Sequence, residues 1–300
     1  MILLNRFGTN MSAGVALFAG GQLSSGSVST ATDRYNYANN VVTTGAVLGT
    51  ARSAIGCISN YTTGVFSGGY TGSASTYTDR YNYAQNTIAA GAVLSTARYG
   101  LAGINNLALG IFTGGINGST YVTTSDGYVF ASNTTFTGTA LTTGRYFLSG
   151  TGISSYGIIM AGDDSAGNHI LPITKYTYTD NTTVSGSSIQ NGRYGCAATS
   201  NQQTAYLAGG GHAGIDYSAV LEKYAYSSAV FTYGTSLSVA RQGVMGAGNQ
   251  FFGLTAGGSN GTVQSLVNKY TYSTDAVTTA TALSSARNCP GGTSSTPGGL

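Results

Sequence analysis

The chain has 300 residues, 41% of them hydrophobic and only 7% charged, with 46 Gly, 22 Tyr, 10 Phe and no Trp. Its net charge of +3 is built from 12 cations and 9 acids with no run of Lys or Arg, which excludes the electrostatic footprint of a nucleic-acid binder. The aromatic and aliphatic content is enough to offset the ordering entropy of folding, so the chain reads as folded, with a surface wetted by hydroxyls and amides instead of ions.

Met1-Ile2-Leu3-Leu4 is too short for the apolar core of an export signal. No stretch approaches the roughly 20 apolar residues of a membrane span, so no membrane insertion is expected. Ile2 to Arg6 resembles Leu283 to Arg287, the end of a repeat met much later. The first strand pattern is Val15-Ala16-Leu17-Phe18-Ala19, closed by Gly20-Gly21. A second follows at Thr32 to Ala38 and carries Tyr35 and Tyr37, and Arg52 closes the unit.

The same order then recurs through the chain. Small pairs stand at Gly68-Gly69, Gly114-Gly115, Ala161-Gly162, Gly209-Gly210 and Gly257-Gly258. Aromatic pairs follow at Tyr81/Tyr83, Tyr128/Phe130, Tyr176/Tyr178, Tyr224/Tyr226 and Tyr270/Tyr272, and the closing arginines are Arg98, Arg145, Arg193, Arg241 and Arg287. First aromatic and arginine are always 17 positions apart, as are each arginine and the next small pair's second residue. Only the stretch from small pair to aromatic drifts, between 12 and 14 positions. A period of about 47 residues, alternating apolar and polar positions and abundant Gly, Asn, Ser and Thr predict four short strands per unit and no helix.

Such sheets bury both faces only against neighbours, and radial closure protects their edges. The expected fold is therefore all-β: one domain over 1–300, a six-bladed propeller of four-stranded antiparallel blades closed by the two termini. Arg287 to Ser295 begins a unit that does not finish, and its pairing beside Gly14 to Gly21 is the favoured closure, with the N-terminal copy as the other candidate.

An apolar strand ending in Gly-Gly, a Tyr a dozen residues later and a closing Arg resemble the kelch repeat, over essentially the whole chain. Thr32 to Ala38 recurs identically at Thr78 to Ala84, whereas the kelch tryptophan is replaced by Val42, Ile88, Phe136, Val184, Phe231 and Val277. The resemblance implies a propeller and says little about function, because such folds host adaptors, adhesins, enzymes and virion parts.

All 12 cations sit at repeat positions: Arg6 and the six arginines above close units, and Arg34, Arg80, Lys175, Lys223 and Lys269 precede a first tyrosine. Asp33, Asp79 and Glu222 adjoin one of these and Asp126 occupies a neighbouring site, so the recurring ions, like Tyr35, Tyr81, Tyr128, Tyr176, Tyr224 and Tyr270, read as structural. Left outside the repeat are Asp163, Asp164, His169, Asp180, His212, Asp216 and Asp275. Asp163, Asp164, His169, His212 and Asp216 fall between small pair and aromatic in units four and five, on the connections that emerge together from one propeller face; these are the candidate ligand-binding residues.

No catalytic residue, metal or cofactor is expected. Glu222 is the one glutamate and lies at a repeat position, which weighs against a sialidase; no Ser stands in a Gly-x-Ser-x-Gly elbow with a His placed to serve it; and His169 and His212 lack metal-ligand spacing. Cys57, Cys196 and Cys289 are an odd count and read as free thiols. Loops of Tyr, Ser, Gly, Asn and Thr suit sugars or another protein. The composition resembles a tailed-phage virion protein, so the leading expectation is a non-enzymatic tail, fibre or head-surface component, in the virion or extracellular. Its partners would be host-surface glycan or other virion proteins in a larger assembly. An extracellular carbohydrate-binding adhesin, an intracellular kelch adaptor and a propeller glycosidase or sialidase are the alternatives.

Overall fold

A computed structural model describes residues 14–212, 214 and 216–300. Six four-stranded antiparallel sheets are arranged as the blades of a propeller, and no helix occurs among the described residues. The second blade shows the plan: Gly56–Ser59 is innermost, followed outward by Thr63–Ser67, Thr78–Asn82 and Thr87–Ala90. Blades three to six repeat it from the inner strands Ala102–Asn105, Ser149–Gly152, Ala197–Ser200 and Met245–Gly248.

The first blade is a composite. Val15–Ala19, Thr32–Asn36 and Val42–Thr44 come from the start of the chain, and Gly291–Ser294 adds antiparallel to Val15–Ala19 as the inner strand. Closure therefore uses the C-terminal segment, as the unfinished unit after Arg287 implies. The N-terminal copy, Ile2 to Arg6, lies outside the described residues.

Alternation along each second strand puts side chains into two interfaces at once. In Val15–Ala19, Ala16 and Phe18 pack with Leu254 and Val267 of blade six, whereas Leu17 and Ala19 pack with Phe66 and Tyr81 of blade two. Six buried clusters result, one per interface.

The recurring landmarks meet at these same interfaces. The small pair turns through positive φ, 67° at Gly20 and 102° at Gly21, a region that costs a side-chain-bearing residue energy. That turn aims the amide of Gly21 at the carbonyl of Arg52, 2.9 Å away, and the other five pairs do the same to Arg98, Arg145, Arg193, Arg241 and Arg287. A Cβ on Gly20 would stand 2.4 Å from that carbonyl oxygen.

The arginine side chain then reaches forward into the next blade. Arg52 pairs with Asp79 at 2.8 Å, Arg98 with Asp126 at 2.7 Å, Arg193 with Glu222 at 3.0 Å, and Arg287 with Asp33 across the closure. Arg145 and Arg241 meet uncharged groups in the same place, Thr174 Oγ1 at 2.9 Å and Asn268 Oδ1 at 2.6 Å. Every partner stands two residues before the first tyrosine. All six guanidinium-bearing side chains are buried, and each also donates to main-chain carbonyls of the blade it enters, such as Phe66 for Arg52 and Phe112 for Arg98. The acids thus serve the closing arginines and not the cations beside them in sequence, because adjacent strand residues face opposite ways. Arg34 and Arg80 instead donate to the carbonyls of Tyr83 and Phe130 in the following blades.

A second latch lies toward the rim. Five residues after the first tyrosine, Asn40, Asn86, Asn133, Asn181, Ala229 and Asp275 all hold φ between 52° and 57°. The tyrosine hydroxyl donates to the Asn or Asp oxygen in every unit but the fifth. The preceding blade donates to Asn86, Asn133, Asn181 and Asp275 from the amides of Ala46, Ala92, Thr139 and Thr235. Asp275, which the sequence leaves outside the repeat, therefore holds a repeat position.

Two expected outcomes follow from these latches. Ala229→Asn relieves a left-handed alanine and gives Tyr224 the acceptor its counterparts have; a gain of about 1 kcal/mol in unfolding free energy is expected in denaturant titration. Arg193→Met strands Glu222 without a cation and is expected to cost about 3–5 kcal/mol, most of it recovered in the double variant with Glu222→Met.

Candidate functional site

The connections between second and third strands share one face of the propeller with the connections between blades. Here the residue after each arginine forms an antiparallel bridge with the residue after the small pair: Ser53 with Tyr70, Tyr99 with Ile116, Tyr146 with Asp163, Tyr194 with Gly211, Gln242 with Ser259 and Asn288 with Gln22. The repeat thus displays these twelve positions around the axis, and sequence decides what each one offers. Blades two to five present mainly aromatic groups, and the remaining sector is amide and hydroxyl.

The aromatic half consists of one pair of rings and one longer array. Tyr70 and Tyr99 meet edge to face at 5.2 Å between centroids, and Tyr121 meets Tyr146 at 5.3 Å. Phe147 lies 4.7 Å from Tyr146 and 6.5 Å from Tyr194, whose ring in turn faces His169 at 5.6 Å. Such offset and T-shaped contacts fix ring orientation. These rings are half-buried apart from Tyr70, which is exposed, so edges and hydroxyls remain available.

Beneath them the axis is closed by main chain. The residue two after each arginine has positive φ, from 49° at Cys289 to 65° at Gly100, and Phe147 holds 52°. Hydrogen bonds run round the axis from Ala54 to Cys289, Gly100 to Ala54, Phe147 to Gly100, Gly195 to Phe147, Val244 to Gly195 and Cys289 to Gly243, at 2.7–3.3 Å. Lower down, a Cβ on Gly103 would lie 2.0 Å from the carbonyl oxygen of Cys57, and one on Gly246 2.3 Å from that of Ala198. Glycine at these positions lets the inner strands approach one another closely around the axis. At the opposite mouth, Pro297 to Leu300 lie across the ends of the inner strands, with the Tyr61 hydroxyl donating to Leu300.

The sequence candidates divide on this face. Asp163 and His169 come together, Oδ1 to Nδ1 at 2.5 Å, next to Tyr194. Burial raises the Asp163 carboxyl above its ordinary value, against the opposing pull of His169. Burial also pushes Tyr146 up to about 12, aided by Tyr121, Asp163, Tyr194 and Tyr99; Tyr194 is raised by burial and by the charges of Asp163 and Asp216. Asp216 is exposed on the neighbouring loop, and His212 is half-buried beside Gly211, the residue bridged to Tyr194. Asp164 is committed to its own turn, accepting from the amides of Ala166 and Asn168 and from the Asn168 side chain. Asp180 stays outside this face, in the hairpin after Tyr178.

Sequence reasoning missed Tyr70, Tyr99, Tyr121, Tyr146, Phe147 and Tyr194. The signal available was the Arg-Tyr pair at Arg98-Tyr99, Arg145-Tyr146 and Arg193-Tyr194, present in three units of six. No group of three or more His, Cys, Asp or Glu able to hold a metal ion occurs among the described residues. The thiols of Cys57, Cys196 and Cys289 are free and raised by burial, to about 12, 11 and 12.

No protein-family description matches the chain, and no curated protein matches it. Among solved structures, one titled "Structure of YjhT" superposes with a TM-score of 0.72 at 13% identity, over 88% of this chain and 97% of that one. The likeness carries the propeller architecture.

The raised carboxyl of Asp163 fixes a pH dependence. Its folded-state value lies above the unfolded one, near 4, so the native state holds this proton more tightly and stability falls as pH rises through that window. Asp163→Asn removes the loss while keeping an acceptor for His169. The melting midpoint of the variant relative to the native protein is expected to climb between pH ~3.5 and 7; an offset that does not change with pH would refute the assignment.

Proposed function

We propose that this propeller is a non-enzymatic binding protein that takes a neutral, hydroxyl-rich ligand, a glycan, on the aromatic half of its loop face. The observation that carries this reading is the Tyr121–Tyr146–Phe147–Tyr194 array, with the Tyr70–Tyr99 pair on the same face and the Asp163–His169 pair at its edge. Tyrosine supplies rigid area for the apolar faces of sugar rings at low conformational cost, with a hydroxyl for their polar edges. The surrounding Gln22, Gln242, Ser259 and Asn288 add neutral donors and acceptors, and a chain of 7% charge has little with which to attract an ionic partner from a distance.

The finer reading is a surface component of a tailed-phage particle, in the virion or extracellular, that meets host glycan or a neighbouring particle protein. It is supported by the hydroxyl-rich β repeats and low charge. The order Gly-Gly, Tyr, Arg supports a degenerate kelch type for the repeat; at the tryptophan place Phe231 is buried, whereas Val184 is exposed.

The test is a glycan array with the intact chain, followed by Tyr146→Ala and Tyr194→Ala. Each alanine variant is expected to weaken binding by about 1–3 kcal/mol, roughly 5- to 150-fold in Kd, with the melting transition retained. Binding that is unchanged in both variants, or no binding to any host polysaccharide, would overturn the proposal.

A further inference from the structure

Arg145 differs from the other unit-closing arginines in what faces it. In four units a carboxylate accepts from two directions at once: from the guanidinium, and from the amide three residues before that arginine. Asp79 receives Gly49, Asp126 receives Ser95, Glu222 receives Gln190 and Asp33 receives Ser284. In the sixth blade Asn268 fills the same place, its oxygen on Arg241 and its amide donating to Ser238. In the fourth blade the residue is Thr174, whose short side chain meets Arg145 through one hydroxyl.

The other contacts of Arg145 are long, 3.3–3.5 Å to the carbonyls of Ala161, Pro172 and Ile159. Yet the side chain is 2% exposed, so a full positive charge is held nearly dry without a counter-charge. A bulge between Pro172 and Thr174 shifts the strand register at this point. Arg145 lines a cleft of about 220 Å³. Thr142, which stands three residues before Arg145 as Gly49 does before Arg52, lines it together with Thr143, Thr183 and Ser185; Leu141, Ile170 and Val184 form an apolar wall.

We propose that this cleft binds a short aliphatic carboxylate, whose oxygens occupy the place that Asp79, Asp126, Glu222 and Asp33 fill elsewhere. The donor set is the one those acids use, a guanidinium plus a main-chain amide, extended by threonine and serine hydroxyls. The apolar wall receives the alkyl tail.

The experiment compares the native protein, Thr174→Asp and Thr174→Val in acetate, propionate, butyrate and chloride at equal ionic strength, by thermal melting and titration calorimetry. For the native protein a saturable rise in midpoint with carboxylate is expected, with one site per chain and affinity growing by up to about fourfold per added methylene. Thr174→Asp carries its own carboxylate and is expected to melt higher in chloride and to lose the saturable response. Thr174→Val keeps the cleft and is expected to retain it, which leaves the proposal testable if the aspartate variant does not fold. Equal responses in native protein and Thr174→Asp, or chloride acting as well as carboxylate, would overturn it.

Discussion

Six dry guanidinium groups hold the blades of this propeller to one another. Each arginine has its main chain on one blade, where its carbonyl accepts the second small-pair amide, and its side chain in the next, where it meets an acid or a neutral stand-in and main-chain carbonyls. A buried cation is costly unless every donor finds an acceptor in fixed geometry. The arrangement therefore tolerates little relative motion of neighbouring sheets, and the apolar clusters between them pack in one register. A second latch, in which an amide of one blade donates to the Asn or Asp that also accepts the tyrosine hydroxyl of the next, pins four of the six interfaces again.

With the skeleton fixed in this way, its departures from six-fold regularity become informative. Thr174 and Asn268 replace acids, Ala229 replaces an asparagine, and the residue after the arginine varies from Ser53 to Tyr194. The first three alter what lies inside an interface, leaving Arg145 without a counter-charge and Ala229 in a conformation suited to asparagine. The last alters what is displayed, because the bridge to the neighbouring loop forms through main chain whatever side chain is attached. Chemical identity and structural support are thus separated on the loop face.

That separation also explains what the sequence made legible. Gly-Gly, Tyr and Arg recur with constant spacing because each performs the same contact six times, and from them the class, the blade number and the closing strand follow. The arginine's partner was harder to read, since Asp33, Asp79, Asp126, Thr174, Glu222 and Asn268 share a position and no residue type. Asp33 and Asp79 stand beside Arg34 and Arg80 in sequence but pair with Arg287 and Arg52, because neighbours in a strand face opposite sides. Asp163 and His169 could be placed on one loop but not in contact, as a separation of six positions says nothing about how a turn folds back. The aromatic array stayed hidden because its members come from four blades and, Tyr146 and Phe147 apart, are far from one another along the chain.

The hydrogen-bonded circuit from Ala54 round to Cys289 has one further consequence. A linear stack of repeats frays from whichever end is least protected, and evolution fits it with caps. This molecule has no outermost repeat to lose: each sheet leans on two others, and the ring is completed where Gly291–Ser294 pairs with Val15–Ala19 and Arg287 reaches Asp33.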